Sequence, residues 1–158
     1  MQGSDRPLGI ANRQRKARPR RGDIRALLDH ILVGEREPRG VDIAFVGGRT
    51  IRRLHRDWMD EDSETDVLSF PAGPPLPGPE GSEQSAGEII VCIPVCERSA
   101  RLRRVPLHDE VARMLIHGSL HVLGFDHGTK RERQRMKPRE RRYLSWYRRR
   151  GLEVLAER

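Results

Sequence analysis

Apolar residues recur at helical spacing in four stretches of the chain and alternate or cluster in four shorter ones, and this mixture of periods predicts helices and strands in one fold. The first strand is read at Leu8 to Asn12, followed by an exposed basic connector from Arg13 to Arg21. Ile24, Leu27, Leu28, Ile31 and Leu32 mark a first helix with Asp23 as its N-cap. Val41 to Val46 is a second strand, and Gly47-Gly48 turns into a helix through Ile51, Leu54 and Trp58. An acidic loop, Asp60 to Glu64, precedes a short third strand, Val67 to Phe70, which Pro71 should end. Gly87 to Ile93 is the strongest strand signal, and a helix from Val95 to Leu102 follows Pro94. The best-defined helix runs from Leu107 to Leu123, with Gly124 placed to stop it. A last helix, Lys130 to Tyr147, is strongly basic: 11 Lys and Arg against two acids between Lys130 and Arg150.

Between the third and fourth strands, Ala72 to Ala86 is built of Pro, Gly, Ser and acid, too polar to order itself, and is expected to be a mobile loop. The remainder fits one domain over 1–158, with its core between about 8 and 147, an α+β fold in which a small mixed sheet of about four strands is flanked by helices.

Composition narrows the partners. The net charge of +8 and pI near 10.6 favour polyanions, nucleic acid first and an anionic membrane surface second. The excess is mostly Arg, which a GC-rich genome also produces. Aromatic residues are only 4%, so the core must rest on Leu, Ile and Val. Cys92 and Cys96 form no disulfide framework and no CxxC pair, which suits a reducing compartment. With no apolar run long enough for a signal peptide or a membrane span, a cytoplasmic protein is expected.

The candidate chemistry lies in three histidines. His117 and His121, four apart, stand one turn above the other on one helix face and can reach a common ion. Gly124 lets the chain leave the helix in a left-handed conformation and return His127 as a third ligand. Three neutral imidazoles suit one zinc ion, although nickel, copper and iron accept the same donors. Three protein ligands also leave a fourth position for water, the mark of a catalytic site. The pattern echoes the HExxHxxGxxH zinc proteases but has Gly118 where they carry the glutamate base, which argues against peptide hydrolysis.

The full segment, His117-Gly-Ser-Leu-His121-Val-Leu-Gly124-Phe-Asp126-His127, closely resembles the HGxLHxxGxDH signature of the YbeY family of bacterial endoribonucleases. Thr65 to Pro71 resembles that family's TDVLSFP segment, and Gly87-Glu-Ile-Ile-Val its GDIxI strand. Met136 follows at the expected distance, so the likeness covers about residues 40 to 145. The resemblance implies an α+β fold and zinc held by His117, His121 and His127. It further implies single-strand endoribonuclease activity in the maturation of ribosomal RNA, at the 3′ end of the small-subunit RNA, and in ribosome quality control.

One position departs from the family pattern. Many members carry a Tyr-Arg pair before TDVLSFP, where this chain has Trp58 and Met59. If that arginine holds phosphate, Arg56 or a basic residue of the last helix must replace it. Asp126 is either an acceptor that orients a ligand histidine or a turn residue bonded to its own backbone. Ser69 and Asp66 could face substrate from a strand end but read first as ordinary strand polarity, and Trp146 and Tyr147 read as core rather than base-stacking residues. Two rivals to the nuclease stand: a ribosome-assembly RNA-binding factor whose zinc is structural, and a metal-dependent hydrolase of another ester or amide.

Overall fold

The computed structural model describes residues 5–77 and 84–157. Eleven elements follow in the order β1 (Leu8–Asn12), β2 (Ala17–Pro19), α1 (Arg21–Gly34), β3 (Gly40–Val46), α2 (Gly48–Met59), β4 (Val67–Pro71), β5 (Ser85–Cys92), α3 (Ile93–Arg103), α4 (Leu107–Val122), α5 (Lys130–Arg149) and β6 (Leu155–Glu157).

The expected four-strand mixed sheet is present in the order β1-β3-β5-β4. β1, β3 and β5 run parallel, with Ile10 opposite Ile43 and Ile43 opposite Ile89; β4 returns antiparallel along β5, with Ser69 opposite Ile89. Alternation along the strands sends side chains to two different cores. Ile43, Phe45, Ile89 and Val91 face the larger one, with α1, α4 and α5. Ala44, Val46, Leu68, Ile90 and Cys92 face a smaller one with Ile51 of α2. Both cysteines are buried, unpaired thiols that serve as small apolar residues.

Helix α4 is the centre of the larger core, buried on almost every side, and it lies very close to the sheet. A Cβ added to Gly118 would stand 2.6 Å from Ile89 Cγ2 and 3.0 Å from Ser69 Oγ, so only glycine fits there. Across the contact, a Cβ on Gly87 would meet the Phe70 carbonyl at 2.5 Å and Val122 at 2.9 Å. The two glycines let helix and sheet approach within side-chain contact. Helix α5 is clamped to the start of α4: Arg148 grips Asp109 through both carboxylate oxygens at 2.8 and 2.9 Å, and the Tyr147 hydroxyl meets His108 Nδ1 at 2.7 Å. Tyr147 is fully buried, as expected of a core residue, while Trp146 is half-buried and stacks on His30 at 3.7 Å.

Several expectations need correction. The basic connector is not wholly exposed: Ala17–Pro19 pairs antiparallel with Leu155–Glu157 in a second sheet, and Ala17 is completely buried. Helix α1 starts two residues before Asp23, with Arg20 at the cap position. Asp23 instead occupies the first turn, where its charge suits the helix dipole, and accepts the Glu153 backbone N–H at 2.9 Å. The polar loop is shorter than its composition suggests, since Ser85 and Ala86 belong to β5 and the Ala72 N–H donates to the Ala86 carbonyl at 2.9 Å. Its centre, 78–83, lies outside the described residues. Among the described residues no helix is long and apolar enough to cross a membrane.

Candidate metal centre

The site is assembled from one helix end. His117 and His121 project from the last two turns of α4, and the helix stops at Leu123. Gly124 then adopts a φ of +96°, its N–H donating to the His121 carbonyl at 3.0 Å, while the Phe125 N–H donates to the Leu120 carbonyl at 2.9 Å. This pair of bonds is a Schellman closure, with partly buried Phe125 packed back against the core. The reversed chain presents His127, and a capping box of Thr129 and Glu132 starts α5 two residues later. Local rules thus deliver the third histidine to the first two.

The ligand atoms of His117, His121 and His127 all lie within 4.8 Å of one another. His117 Nε2 and His121 Nε2 are 3.1 Å apart. Two nitrogens bound to one tetrahedral zinc at ~2.0–2.1 Å stand about 3.3–3.4 Å apart, so the observed spacing already approximates a shared ion. Burial, reinforced by the neighbouring imidazoles His117 and His127, pushes the His121 pKa below its usual value and favours the neutral form that binds metal.

A further group completes the arrangement. Glu140 of α5 places Oε2 3.5 Å from His117 Nδ1, the ring nitrogen turned away from the cluster. Burial alone would raise the Glu140 carboxyl, but its bond to His117 and the charges of Arg113 and the histidines hold it below the usual range. An ionised carboxylate there fixes the tautomer that leaves Nε2 free for the ion. Asp126 sits beside the third histidine. Its Oδ1 accepts the His127 backbone N–H at 2.7 Å and lies 3.5 Å from His127 Nδ1, and the first of these bonds holds its carboxyl below the ordinary range. Among the described residues, the donor set and spacing suit one zinc ion.

The histidines open into a cleft of about 540 Å³ between α4 and β4, whose far wall is Thr65 to Ser69 with Pro71 and Met59. Ser69 and Asp66 therefore do face the cleft. Arg56 is exposed on α2 beside Asp57 at 3.5 Å and is not among the cleft-lining residues. Cations approach from the other side: Arg113, Arg133 and Lys137 line an adjoining hollow together with His117, His127 and Glu140. Arg133 donates to the His127 carbonyl at 3.3 Å, and Arg113 is paired with Glu110 at 2.9 Å.

An α+β scaffold carrying three convergent imidazoles at the floor of an open cleft defines a metalloenzyme of the hydrolytic kind, with three protein donors and room for a further ligand. The family model described as Endoribonuclease YbeY matches residues 9–148, and the chain belongs to the YbeY family. Among its relatives, Endoribonuclease YbeY of Halorhodospira halophila is 35% identical over 122 residues, covering 77% of this chain and 79% of that protein. The Aromatoleum aromaticum protein of the same name is 34% identical over 140 residues, covering 89% and 83%. The solution structure of TM1509 from Thermotoga maritima superposes with a TM-score of 0.63 at 25% identity, covering 89% of both chains.

Glu140 was not singled out in the sequence. Its signal was its rarity, one of two acids in a helix of basic residues, but nothing local ties it to His117.

Proposed function

We propose that this protein is a zinc-dependent, single-strand-specific endoribonuclease, one domain spanning the chain, that acts in the cytoplasm on ribosomal RNA of the small subunit during its maturation and quality control. The observation that carries this reading is the three-imidazole cluster opening into a cleft whose opposite wall is the Thr65–Pro71 segment. Family membership supports a role connected with RNA and the ribosome.

When bound, zinc supplies Lewis acidity for a phosphoryl oxygen at neutral pH. The chain's own residues do the rest. His117, His121 and His127 hold the ion, Glu140 orients His117, and Asp126 fixes the turn that presents His127. Arg133 and Lys137 of α5 offer positive charge beside the ligands, where the phosphodiester must sit, and take the part that Met59 cannot. Lys137 makes no ion pair among the described residues and is available for it.

The test is cleavage of single-stranded and duplex RNA by purified protein, with and without chelator and with His121→Ala. Chelator-sensitive cutting of single strands, lost in the variant while the fold persists, supports the reading. No such cutting refutes it. Product ends then separate the two routes: a 2′,3′-cyclic phosphate means attack by the ribose hydroxyl, and a 5′-phosphate with a free 3′-hydroxyl means attack by water.

A second reading rests on Met59, which puts a thioether where many relatives have a guanidinium: an assembly factor that binds RNA without cutting it, its zinc structural. It requires His121→Ala to unfold the protein.

A further inference from the structure

The sheet has a second, half-covered face. α2 packs on it through Ile51 and Leu54, but beyond the helix a groove of about 650 Å³ runs between α2 and the strands. Small Ala44 forms part of its floor with Ile90, and the indole of Trp58 stands at its rim, 69% exposed and edge-on to Phe70 at 5.9 Å. An exposed tryptophan over an apolar floor costs solvation unless something stacks on it.

Charge says what that something is. Arg13 and Arg53 line the same groove, both exposed, and neither forms an ion pair among the described residues, whereas Arg52 and Arg56 of the same helix are each engaged by an aspartate. A single acid, Glu88, lies among them. An aromatic face beside free guanidinium groups matches the alternating bases and phosphates of a single strand.

Position says which strand. Pro71 lines both this groove and the metal cleft, and Met59 of the cleft is the neighbour of Trp58 in the groove. A chain leaving the histidines over Met59 and Pro71 passes directly into it. Resting on the nuclease reading above, we propose that this groove is an extended subsite for the single-stranded RNA flanking the scissile bond. Trp58 stacks on a base, and Arg13 and Arg53 contact phosphates.

The experiment uses the zinc-loaded protein carrying Trp146→Phe, in which Trp58 is the one tryptophan left. The probes are 2′-O-methyl oligouridylates of about four and about twelve nucleotides, within the usual range of single-strand site sizes, which cannot be cut by attack of the ribose hydroxyl and are checked for intactness after binding. The longer probe should quench Trp58 emission saturably. Trp58→Ala should weaken its binding about tenfold. Arg13→Glu with Arg53→Glu should do the same and lower the salt slope by about 1.4. Binding of the short probe should be unaffected by either change. Probe binding seen by anisotropy without any change in Trp58 emission overturns the proposal, as does failure of the long probe to outbind the short one. Sedimentation showing a dimer that the arginine changes dissolve also overturns it, assigning the groove to a second copy. Because binding needs no turnover, quenching without any RNA cleavage would sink the enzyme and keep the groove; cleavage without quenching would do the reverse.

Discussion

Glu140 meets His117 across the gap between two helices, its Oε2 3.5 Å from Nδ1, on the opposite ring edge from the nitrogen that faces His121. The contact joins α5 to the metal site through one carboxylate, and α5 is itself fixed to α4 by Arg148 and Asp109. Glu140→Gln should therefore lower zinc affinity by roughly 10- to 100-fold without unfolding the protein. Competition against a chromophoric chelator measures the first effect and circular dichroism the second. An unchanged affinity would reduce Glu140 to a surface acid.

Gly118 and Ile89 occupy the same space. Gly118→Ala should destabilise by about 1–3 kcal/mol through overpacking against a fully buried side chain. Ile89→Ala removes the Cγ2 that the new methyl strikes hardest and leaves only Ser69 Oγ at 3.0 Å, so the double variant should be less destabilised than the sum of the singles. Urea unfolding of the four proteins gives the coupling, and strict additivity would mean that helix and sheet separate freely.

Arg56 and the α5 cations make opposite predictions for RNA. Arg133→Glu with Lys137→Glu should weaken single-strand binding and reduce its salt slope by about 1.4, whereas Arg56→Ala should change neither by a measurable amount. Titrations at several salt concentrations decide, and equal losses would return Arg56 to the site.

Buried Arg39 donates from Nε to Glu37 Oε1 at 2.8 Å and from Nη1 to the Gly73 carbonyl at 2.8 Å, tying the base of the polar loop to the start of β3. Its side-chain bond and charge hold the Glu37 carboxyl below its usual value, against the opposing pull of burial. A depressed folded pKa contributes stability that is complete above the unfolded value of about 4.5 and is lost as pH falls through the folded one. Glu37→Gln should then be destabilised at neutral pH and lose less further stability on acidification than the parent. Thermal unfolding from pH 7 down to pH 3 checks this, and parallel curves would count against the linkage.

What the sequence discloses here is governed by locality. The three histidines could be read directly because an i, i+4 pair, a glycine stop and a return all fall within one helix end. The four main strands and five helices follow from local signals: apolar period, the turn residues Gly47-Gly48, Pro94 and Gly124, and the run of basic residues in the last helix. Glu140 could not be seen, since the rules of α4 say nothing of which face α5 presents to it. β2 and β6 are three residues each and acquire meaning only as partners from opposite ends of the chain. Asp23 shows a rule applied to the wrong competitor: its carboxylate takes the Glu153 N–H in place of a helix cap. Gly118 was legible as a missing protease base, but its steric role needed the sheet beneath it.

All three zinc ligands come from a single stretch of eleven residues, His117 to His127. A metal that bridges so short a segment removes little entropy from the unfolded chain and ties no distant parts of it together. The fold's long-range order comes instead from the sheet and from the buried faces of α1, α4 and α5. Zinc exchange should accordingly be a local affair of the exposed turn bearing His127, so the protein can load, lose and reload its ion as a folded molecule.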